Sequence, residues 1–112
     1  MTVHIIEDDY GVADALATLL GGVGHDAICY PDAESFFEAP PPLSQDVVIV
    51  DLGLPGLSGV QVVRWLEKLK TPPRIIVISG QSNTQIRNVI SKLRPVVFLR
   101  KPLSEDLLVP HL

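Results

Sequence analysis

Short runs of aliphatic and β-branched residues alternate along the chain with longer segments whose apolar residues recur at helical spacing. Five such runs predict strands, at Val3–Ile6, His25–Tyr30, Val47–Val50, Ile75–Ile78 and Val96–Leu99. The last three runs are apolar at every position, which is typical of strands buried on both faces of a parallel sheet. The pattern therefore predicts an α/β fold with five strands.

Five predicted helices follow these strands. Apolar residues at helical spacing define three of them: Val12, Leu16, Leu19 and Leu20 in the first helix, Val62, Leu66 and Leu69 in the third, and Ile86, Val89, Ile90 and Leu93 in the fourth. The predicted N-terminal caps are Asp32 for the second helix, Ser58 for the third and Ser104 for the fifth. Gly21, Gly22 and Gly24 predict the end of the first helix. The fifth is expected to be short, because only about six residues separate its start from Pro110.

The composition supports one folded domain over residues 1–112. A chain of this length with 46% hydrophobic residues can bury a single core, and its ten prolines all fall at predicted boundaries or loops. A net charge of −4 is unfavourable for binding nucleic acid through its phosphates. No apolar run approaches the roughly 20 residues of a membrane span. The lone Cys29 fits a reducing compartment, so we expect a cytoplasmic protein that contacts neither nucleic acid nor membrane.

Polar side chains follow four of the predicted strands. Glu7–Asp9 come after the first strand, Asp51 after the third, Ser79 after the fourth and Lys101 after the fifth. Because the carboxyl ends of parallel strands lie at one edge of the sheet, we expect these side chains to meet there. Clustered carboxylates favour a hard cation such as Mg²⁺, and a nearby lysine and hydroxyl suit the oxygens of a phosphoryl group. Asp51 is then the candidate nucleophile that forms an acyl phosphate.

Four motifs stand at these strand ends: Ile5–Asp9, Asp51–Gly59, Ile78–Gly80 and Phe98–Pro102. In their order and their spacing, with 28 residues from Asp51 to Ser79 and 22 from there to Lys101, the chain resembles the receiver domains of two-component response regulators. The resemblance covers essentially the whole chain. It implies a flavodoxin-like (βα)5 doubly wound parallel sheet with strand order 2-1-3-4-5, here with a truncated fifth helix.

The resemblance implies that the acidic motifs form a phosphorylation site. Asp51 is the implied phosphoacceptor, and it would bind Mg²⁺ together with Asp8 and the backbone carbonyl of Gly53. Glu7 would act on the metal through water, and Asp9 would be a peripheral charge.

The resemblance also implies a switch. Ser79 is the implied switch hydroxyl, Phe98 holds the aromatic switch position, and Lys101 would pair with the phosphoryl oxygens. The peptide bond before Pro102 is expected to be cis, which would aim the lysine inward. Gln81 and Gly53 are expected to tune how fast the phosphate is lost.

The implied partners are a sensor histidine kinase or phosphotransfer protein, and a downstream protein or second copy that binds the fourth-helix and fifth-strand face. Five basic residues concentrate in that part of the chain, namely Arg87, Lys92, Arg94, Arg100 and Lys101. Such a domain accepts a phosphoryl group and removes it slowly by itself, so we expect no conventional enzyme. The short fifth helix, with Leu103, Leu107 and Leu108, is expected to leave an apolar strip exposed that favours docking or dimerisation.

Two other functions are compatible with parts of this pattern. A non-phosphorylated interaction module of the same fold would keep the acidic site without responding to Mg²⁺. A metal-dependent phosphatase acting on small molecules would need a substrate pocket, for which 112 residues leave little room. Taken singly, an acidic run is most often a solvated turn and Phe98 is most often core, so the prediction depends on the motifs occurring together.

Overall fold

A computed structural model of the chain describes residues 1–53, 59–80, 97–101 and 103–112. Its strands are β1 (Thr2–Ile6), β2 (Asp26–Tyr30), β3 (Val47–Asp51), β4 (Arg74–Ser79) and β5 (Val97–Arg100). Its helices are α1 (Tyr10–Gly22), α2 (Ala33–Glu38) and α3 (Gly59–Glu67), followed after β5 by a C-terminal helical turn (Glu105–Leu108) and a 3-10 turn (Val109–His111).

The five strands form one parallel sheet in the order β2-β1-β3-β4-β5. The register pairs Ile6 with Tyr30 and Val50, and Asp51 with Ile78. Ser79 pairs with Arg100 at the other side of the sheet. The predicted α/β fold and strand order are therefore confirmed, and the ends of the central strands lie level with one another.

Alternate residues of each strand face opposite sides of the sheet, and each side has its own buried cluster. One cluster packs β-strand residues such as Ile5 and Ile49 against α1 and the C-terminal turn, where Leu108 is fully buried. The other packs Val48, Val50 and their neighbours against α2 and α3, with Phe36 at its centre. The partly buried rings of Phe37 and Trp65 pack against this cluster, and Trp65 makes edge-to-face contacts with both phenylalanines.

Helix α1 has well-defined ends that explain where it starts and stops. The Asp9 carboxylate accepts a hydrogen bond from the Val12 N–H at 3.2 Å, so this residue caps the helix. At the other end Gly24 has φ +87°, and the N–H groups of Gly24 and His25 donate to the carbonyls of Gly21 and Leu20. Only glycine adopts this left-handed backbone without strain, so Gly24 ends the helix and turns the chain into β2.

The sequence placed most boundaries within two or three residues. The third helix ends earlier than Leu69, which nevertheless packs against the core, and the C-terminal helical turn is as short as expected. Leu108 covers the sheet whereas Leu107 is 47% exposed. The predicted fourth helix, the Ser58 cap, Gln81 and the Pro102 peptide bond lie outside the described residues.

Candidate functional site

Four polar residues from separate strands lie at the carboxyl edge of the sheet. Glu7 directly follows β1, Asp51 ends β3, Ser79 ends β4 and Lys101 follows β5. Glu7, Asp51 and Ser79 are buried, with at most 4% of their surface exposed. The expected convergence of Glu7, Asp51 and Lys101 is seen directly in their contacts.

Asp51 is held by both of its carboxylate oxygens. Its Oδ1 accepts a hydrogen bond from the Gly53 N–H at 2.9 Å, and its Oδ2 accepts one from Lys101 Nζ at 3.2 Å. The Leu52 N–H donates to the carbonyl of Ile78 at 3.0 Å, which continues the strand pairing just past the end of β3. These contacts fix the orientation of the carboxylate at the mouth of the sheet.

Lys101 bridges two carboxylates. Its Nζ lies 2.8 Å from Glu7 Oε2 in an ion pair, in addition to the hydrogen bond with Asp51. Its backbone N–H donates to the carbonyl of Ser79 at 3.0 Å, so the end of β4 positions the lysine. Burial by itself lowers the pKa of the Lys101 ammonium. The nearby carboxylates of Glu7 and Asp51 raise the pKa by more than burial lowers it, so the pKa of Lys101 lies above its usual value.

Glu7 has an unusual environment for a carboxylate. Burial raises its pKa from 4.5 to about 7, because the charged form loses hydration, and the negative charge of Asp51 adds to this rise. Contact with the Lys101 ammonium and a hydrogen bond from the Asp9 N–H to Oε1 at 3.1 Å oppose the increase. A nearby cation therefore stabilises the ionised form of such a buried carboxylate.

The acidic residues can supply oxygen ligands to one cation. One carboxylate oxygen each from Glu7, Asp8 and Asp51 lies within 4.8 Å of the others, and Asp8 is exposed at the mouth of the cluster. Among the described residues, Glu7 Oε2 is buried without a hydrogen bond, although it forms the ion pair with Lys101. All-oxygen donors with an open side fit Mg²⁺, which keeps part of its hydration shell.

Asp9 lies beside this cluster, and its side chain caps a helix. Its side chain caps α1, and its backbone N–H holds Glu7. The sequence predicted a peripheral charge; the structure adds that Asp9 links the acidic cluster to the start of the helix.

Gly59 brings α3 against the candidate site. A Cβ placed on this residue would stand 2.5 Å from the main-chain oxygen of Asp51 and 2.9 Å from the Cα of Leu52. The absence of a side chain therefore allows the first turn of α3 to lie on the chain segment that leaves β3. This glycine ends the second of the four sequence motifs, Asp51–Gly59, but nothing in the sequence pattern indicated the contact.

The two proposed switch residues lie at neighbouring strand positions. Ser79 is completely buried at the end of β4, and Phe98 in β5 is partly buried against the cluster that contains Val77. The register pairs Phe98 with Val77, two residues before Ser79. Their positions thus agree with the expectation, while their roles as switches remain predictions.

A second buried polar group was missed by the sequence reasoning. Asp46, just before β3, accepts hydrogen bonds from the N–H groups of Thr2 and Leu43 and forms a 3.0 Å contact with His4 Nε2. The other ring nitrogen of His4 lies 3.3 Å from the hydroxyl of Tyr30. The group ties β1, β2 and the loop before β3 together; an aspartate immediately before an apolar strand was its only sequence signal.

Comparison with known proteins identifies the family. The model of the response regulator receiver domain matches residues 3–112. The chain belongs to this family. It is 31% identical over 104 residues to the transcriptional regulatory protein FixJ of Bradyrhizobium diazoefficiens, covering 93% of the chain and 51% of that protein. It is 32% identical over 108 residues to FixJ of Rhizobium meliloti, covering 96% of the chain and 53% of that protein.

Solved receiver structures show the same architecture. The crystal structure of FixJ-N superposes with a TM-score of 0.84 at 31% identity, covering 98% of the chain and 88% of the FixJ-N chain. The BeF3-activated receiver domain of DrrB also gives a TM-score of 0.84, at 17% identity, covering 98% of the chain and 93% of that structure, and supports the fold alone.

The receiver domain spans about half the length of the curated relatives it matches. It is homologous to the receivers of two-component response regulators, a class of domain that in general is not a conventional enzyme. Within residues 1–53, 59–80, 97–101 and 103–112, helices with the length and hydropathy of a bilayer span are absent.

Proposed function

We propose that this receiver accepts a phosphoryl group on Asp51. The observation that carries the proposal is the position of Lys101, whose ammonium touches both Asp51 Oδ2 and Glu7 Oε2 at the edge of the sheet. One buried acceptor carboxylate, a second acidic group and a fixed cation are the parts that phosphoryl transfer needs, since the reaction depends mainly on positioning and charge neutralisation.

Asp51 acts as the nucleophile in this proposal. A carboxylate oxygen of Asp51 forms a bond to phosphorus while the bond between phosphorus and the donor breaks, and the donor leaves with that electron pair. With a phosphohistidine donor, the bond that breaks is P–N. The hydrogen bond from the Gly53 N–H to Oδ1 keeps the carboxylate from rotating while Oδ2 faces Lys101.

Glu7, Asp8 and Asp51 are the residues that would hold Mg²⁺, with Glu7 acting through a retained water and the carbonyl of Gly53 as a further oxygen ligand. Mg²⁺ supplies positive charge that offsets the negative charge developing on the transferred phosphoryl oxygens. Two carboxylates of the protein contribute to binding of this ion. Glu7 is buried and has a raised pKa, so a nearby cation stabilises its charged form, and Asp8 is exposed beside it.

Lys101 and Ser79 provide the response to phosphorylation. The ammonium of Lys101 exchanges a contact with a carboxylate for one with the phosphoryl oxygens, and the Ser79 hydroxyl moves toward the same group. This change shifts an existing equilibrium between two forms of the domain, and Phe98 on the neighbouring strand reports it to the fourth-helix and fifth-strand face.

The proposed donor is a histidine kinase or phosphotransfer protein, and the proposed output is a downstream protein or a second copy of the chain. We propose that residues 1–112 work as one receiver domain in the cytoplasm, and that the domain removes its own phosphate slowly instead of turning over a separate substrate. The exposed, unpaired thiol of Cys29 is compatible with a reducing compartment.

The test is phosphorylation by acetyl phosphate with and without Mg²⁺, followed by mass spectrometry of the intact protein. We expect one added phosphoryl group that requires Mg²⁺ and that is lost in Asp51→Asn. Asp14→Asn is the matched control, because it removes an exposed carboxylate of α1 that lies outside the acidic cluster.

Labelling that persists in Asp51→Asn would overturn the assignment of the acceptor. A folded protein that neither binds Mg²⁺ nor becomes labelled would instead support the non-phosphorylated interaction module. Release of phosphate from a generic aryl phosphate at millimolar Mg²⁺ would indicate a phosphatase of small molecules.

A further inference from the structure

Helix α2 is joined to β3 by a short stretch of chain that contains three consecutive prolines. Residues 39–43 of this stretch have the sequence Ala-Pro-Pro-Pro-Leu, and we refer to them as the proline segment. The segment lies before the amino end of β3, whereas Asp51 lies at the carboxyl end of the same strand. A ligand that binds to the proline segment is therefore separated from the proposed phosphorylation site by the length of a strand.

The prolines restrict the backbone of the segment to one conformation. Each proline ring fixes its own φ at roughly −65°, and a following proline excludes the helical region for the residue before it. Ala39, Pro40 and Pro41 are each followed by proline, and Ala39 has φ −81° and ψ 161°. These angles lie in the polyproline II region, so the prolines continue the chain as about one turn of this left-handed helix.

The burial of the proline segment also follows the repeat of a polyproline II helix. Ala39 is half-buried and Pro42 is buried. The exposed members are Pro40, Pro41 and Leu43. Since this helix has about three residues per turn, positions 39 and 42 lie on one face and positions 40 and 43 on another. The inner face packs on the domain, and the outer faces present two proline rings and a leucine that is 61% exposed.

Hydrogen bonds hold the proline segment at both ends. The Ala39 N–H donates to the carbonyl of Phe36 in α2 at 3.1 Å. At the other end, the Leu43 N–H donates to Asp46 Oδ2 and the Asp46 N–H donates to the Leu43 carbonyl, both at 3.0 Å. The buried Asp46 also accepts a hydrogen bond from the Thr2 N–H in β1. The segment is thus ordered before any ligand binds, which lowers the entropic cost of binding.

The charges at the two ends of the proline segment differ in sign. Glu34 and Glu38 are exposed on α2, and Glu38 directly precedes the segment. Beside the other end, the exposed Arg74 donates its backbone N–H to the carbonyl of Asp46 at 3.1 Å. Residues 1–63 contain no Lys or Arg, so the start of the segment lies in an acidic part of the chain. This charge favours a partner with a basic residue where it meets Glu38.

We propose that the proline segment is the docking site for a partner protein with a groove lined by aromatic side chains. Grooves of this kind bind polyproline II segments, because the helix is already formed and its rings pack on flat aromatic surfaces. The helix has no internal hydrogen bonds, so its carbonyl oxygens can accept hydrogen bonds from Trp and Tyr side chains of the groove. Pro40 and Leu43, one turn apart, enter the groove, and a basic residue at its rim meets Glu38.

A second copy of this chain is a poor occupant of the proline segment, because a groove needs aromatic rings that face solvent side by side. Phe98 packs against the α2 and α3 side of the core. Tyr10 is 83% exposed but lies in the first turn of α1. Four other aromatic rings pack against one another: Tyr30, Phe36, Phe37 and Trp65. The partner that fits is therefore a different protein.

The probe in the experiment is a WW domain, whose groove for polyproline II segments is lined by aromatic side chains. It is added to the ¹⁵N-labelled protein and binding is followed by NMR without phosphorylation, so the result does not depend on the role of Asp51. We expect amide shifts at Glu38 and Ala39 and at residues 43–46. A WW domain with alanine in place of its groove aromatics is expected to bind about tenfold more weakly.

Two variants remove exposed side chains of the proline segment, and each has a matched control. Leu43→Ala and Pro41→Ala are each expected to weaken binding of the WW domain about fivefold. Leu107→Ala is the first control, since Leu107 is 47% exposed on the C-terminal helical turn. Pro31→Ala is the second, since Pro31 is exposed before α2. Both controls are expected to change the affinity by about twofold or less, and circular dichroism checks that all variants are folded.

The role of Glu38 is tested with two forms of the WW domain that carry either arginine or glutamate at the end of the groove that meets this residue. The arginine form is expected to bind about threefold more tightly at low salt. Glu38→Gln is expected to remove the difference between the two forms, because the preference depends on the charge of this one side chain.

Four results would each overturn the proposal. They are the absence of amide shifts at the proline segment with the WW domain at about 1 mM, equal weakening by Leu43→Ala and Leu107→Ala, equal binding of the arginine and glutamate forms, and self-association of the protein that Leu43→Ala abolishes. The last result would show that a second copy, not a partner with an aromatic groove, covers the segment.

Discussion

Gly59 and Asp51 approach each other through their main chains, so that a Cβ on the glycine would stand 2.5 Å from the aspartate carbonyl oxygen. The atoms it would meet next belong to the backbone of Asp51 and Leu52, which cannot rotate away as a side chain can. The contact places the buried start of α3 directly behind the proposed phosphoacceptor. The position of this helix and the position of Asp51 are therefore coupled.

Gly59→Ala is expected to destabilise the domain by about 2 kcal/mol, as overpacking of a buried contact does. Urea denaturation measures the change. Gly21→Ala is the matched control: this residue lies in the last turn of α1 with nothing within 4 Å of a Cβ, and alanine there is expected to leave stability unchanged or to raise it by about 0.5 kcal/mol. Equal stability of the two variants would show that the Gly59 backbone can move freely.

Much of the site could be predicted because it follows from topology. Once the apolar runs are assigned as parallel strands, the residues after them must lie at one edge of the sheet, and Lys101 does contact both Glu7 and Asp51 there. This prediction needs only the alternation of strands and helices. It does not depend on knowing how any side chain packs.

The contacts that could not be predicted join residues far apart in sequence without a local pattern. Asp46 and His4 are separated by 42 positions, and His4 and Tyr30 by 26. Similarly, no periodicity indicates that Gly59 must touch the main chain of Asp51. Such contacts depend on the distance between packed elements, which the pattern of polar and apolar residues does not contain.

Asp46→Asn is expected to destabilise the domain by about 2 kcal/mol, because hydrogen bonds to a buried charged group are stronger than those to an amide. Asp46 is 5% exposed and receives the N–H groups of Thr2 and Leu43 as well as the contact with His4. Asp26→Asn at the start of β2 is the control, since Asp26 is exposed at the same end of the sheet. If Asp46→Asn lost no more stability than Asp26→Asn, the contacts of Asp46 would not be important for the stability of the fold.

The same carboxylate gives the domain a sensitivity to acid. Burial alone raises the pKa of Asp46, but the contact with His4 and the N–H donors of Thr2 and Leu43 outweigh it and leave the pKa below the ordinary 3.8. The folded state therefore favours the ionised form. This stabilisation is complete above pH 3.8 and is lost as the pH falls through the lower folded-state pKa. We expect urea midpoints to fall more steeply below pH 4 in the wild type than in Asp46→Asn; parallel pH profiles would contradict the assignment.

Substitutions of Asp9 can distinguish a helix cap from a metal ligand. Because asparagine caps a helix as well as aspartate does, Asp9→Asn is expected to keep the stability of the wild type, whereas Asp9→Ala should lose about 1 kcal/mol. Thermal unfolding at neutral pH measures both. Isothermal titration with Mg²⁺ supplies the second measurement, and Asp9→Asn should bind the ion far better than Asp8→Asn does. A loss of Mg²⁺ binding as large as that of Asp8→Asn would make Asp9 a ligand.

Lys101→Met is expected to separate Mg²⁺ binding from phosphorylation. The methionine keeps an apolar chain in place but removes the ammonium that lies 2.8 Å from Glu7 Oε2 and 3.2 Å from Asp51 Oδ2. Without this competing positive charge, the carboxylates should bind Mg²⁺ more tightly, on the order of tenfold at low salt. Titration calorimetry at fixed pH measures the change in affinity.

Phosphorylation of the same variant is expected to change in the opposite direction. The oxygens of the incoming phosphoryl group lose the cation that would stabilise them, so labelling by acetyl phosphate at saturating Mg²⁺ should become slower even though the metal binds better. Arg100→Met is the matched control, because it removes the neighbouring exposed cation from β5. If Lys101→Met bound Mg²⁺ more weakly, the lysine would be holding the carboxylates in place for the metal, and its contacts with Glu7 and Asp51 would be part of the metal site itself.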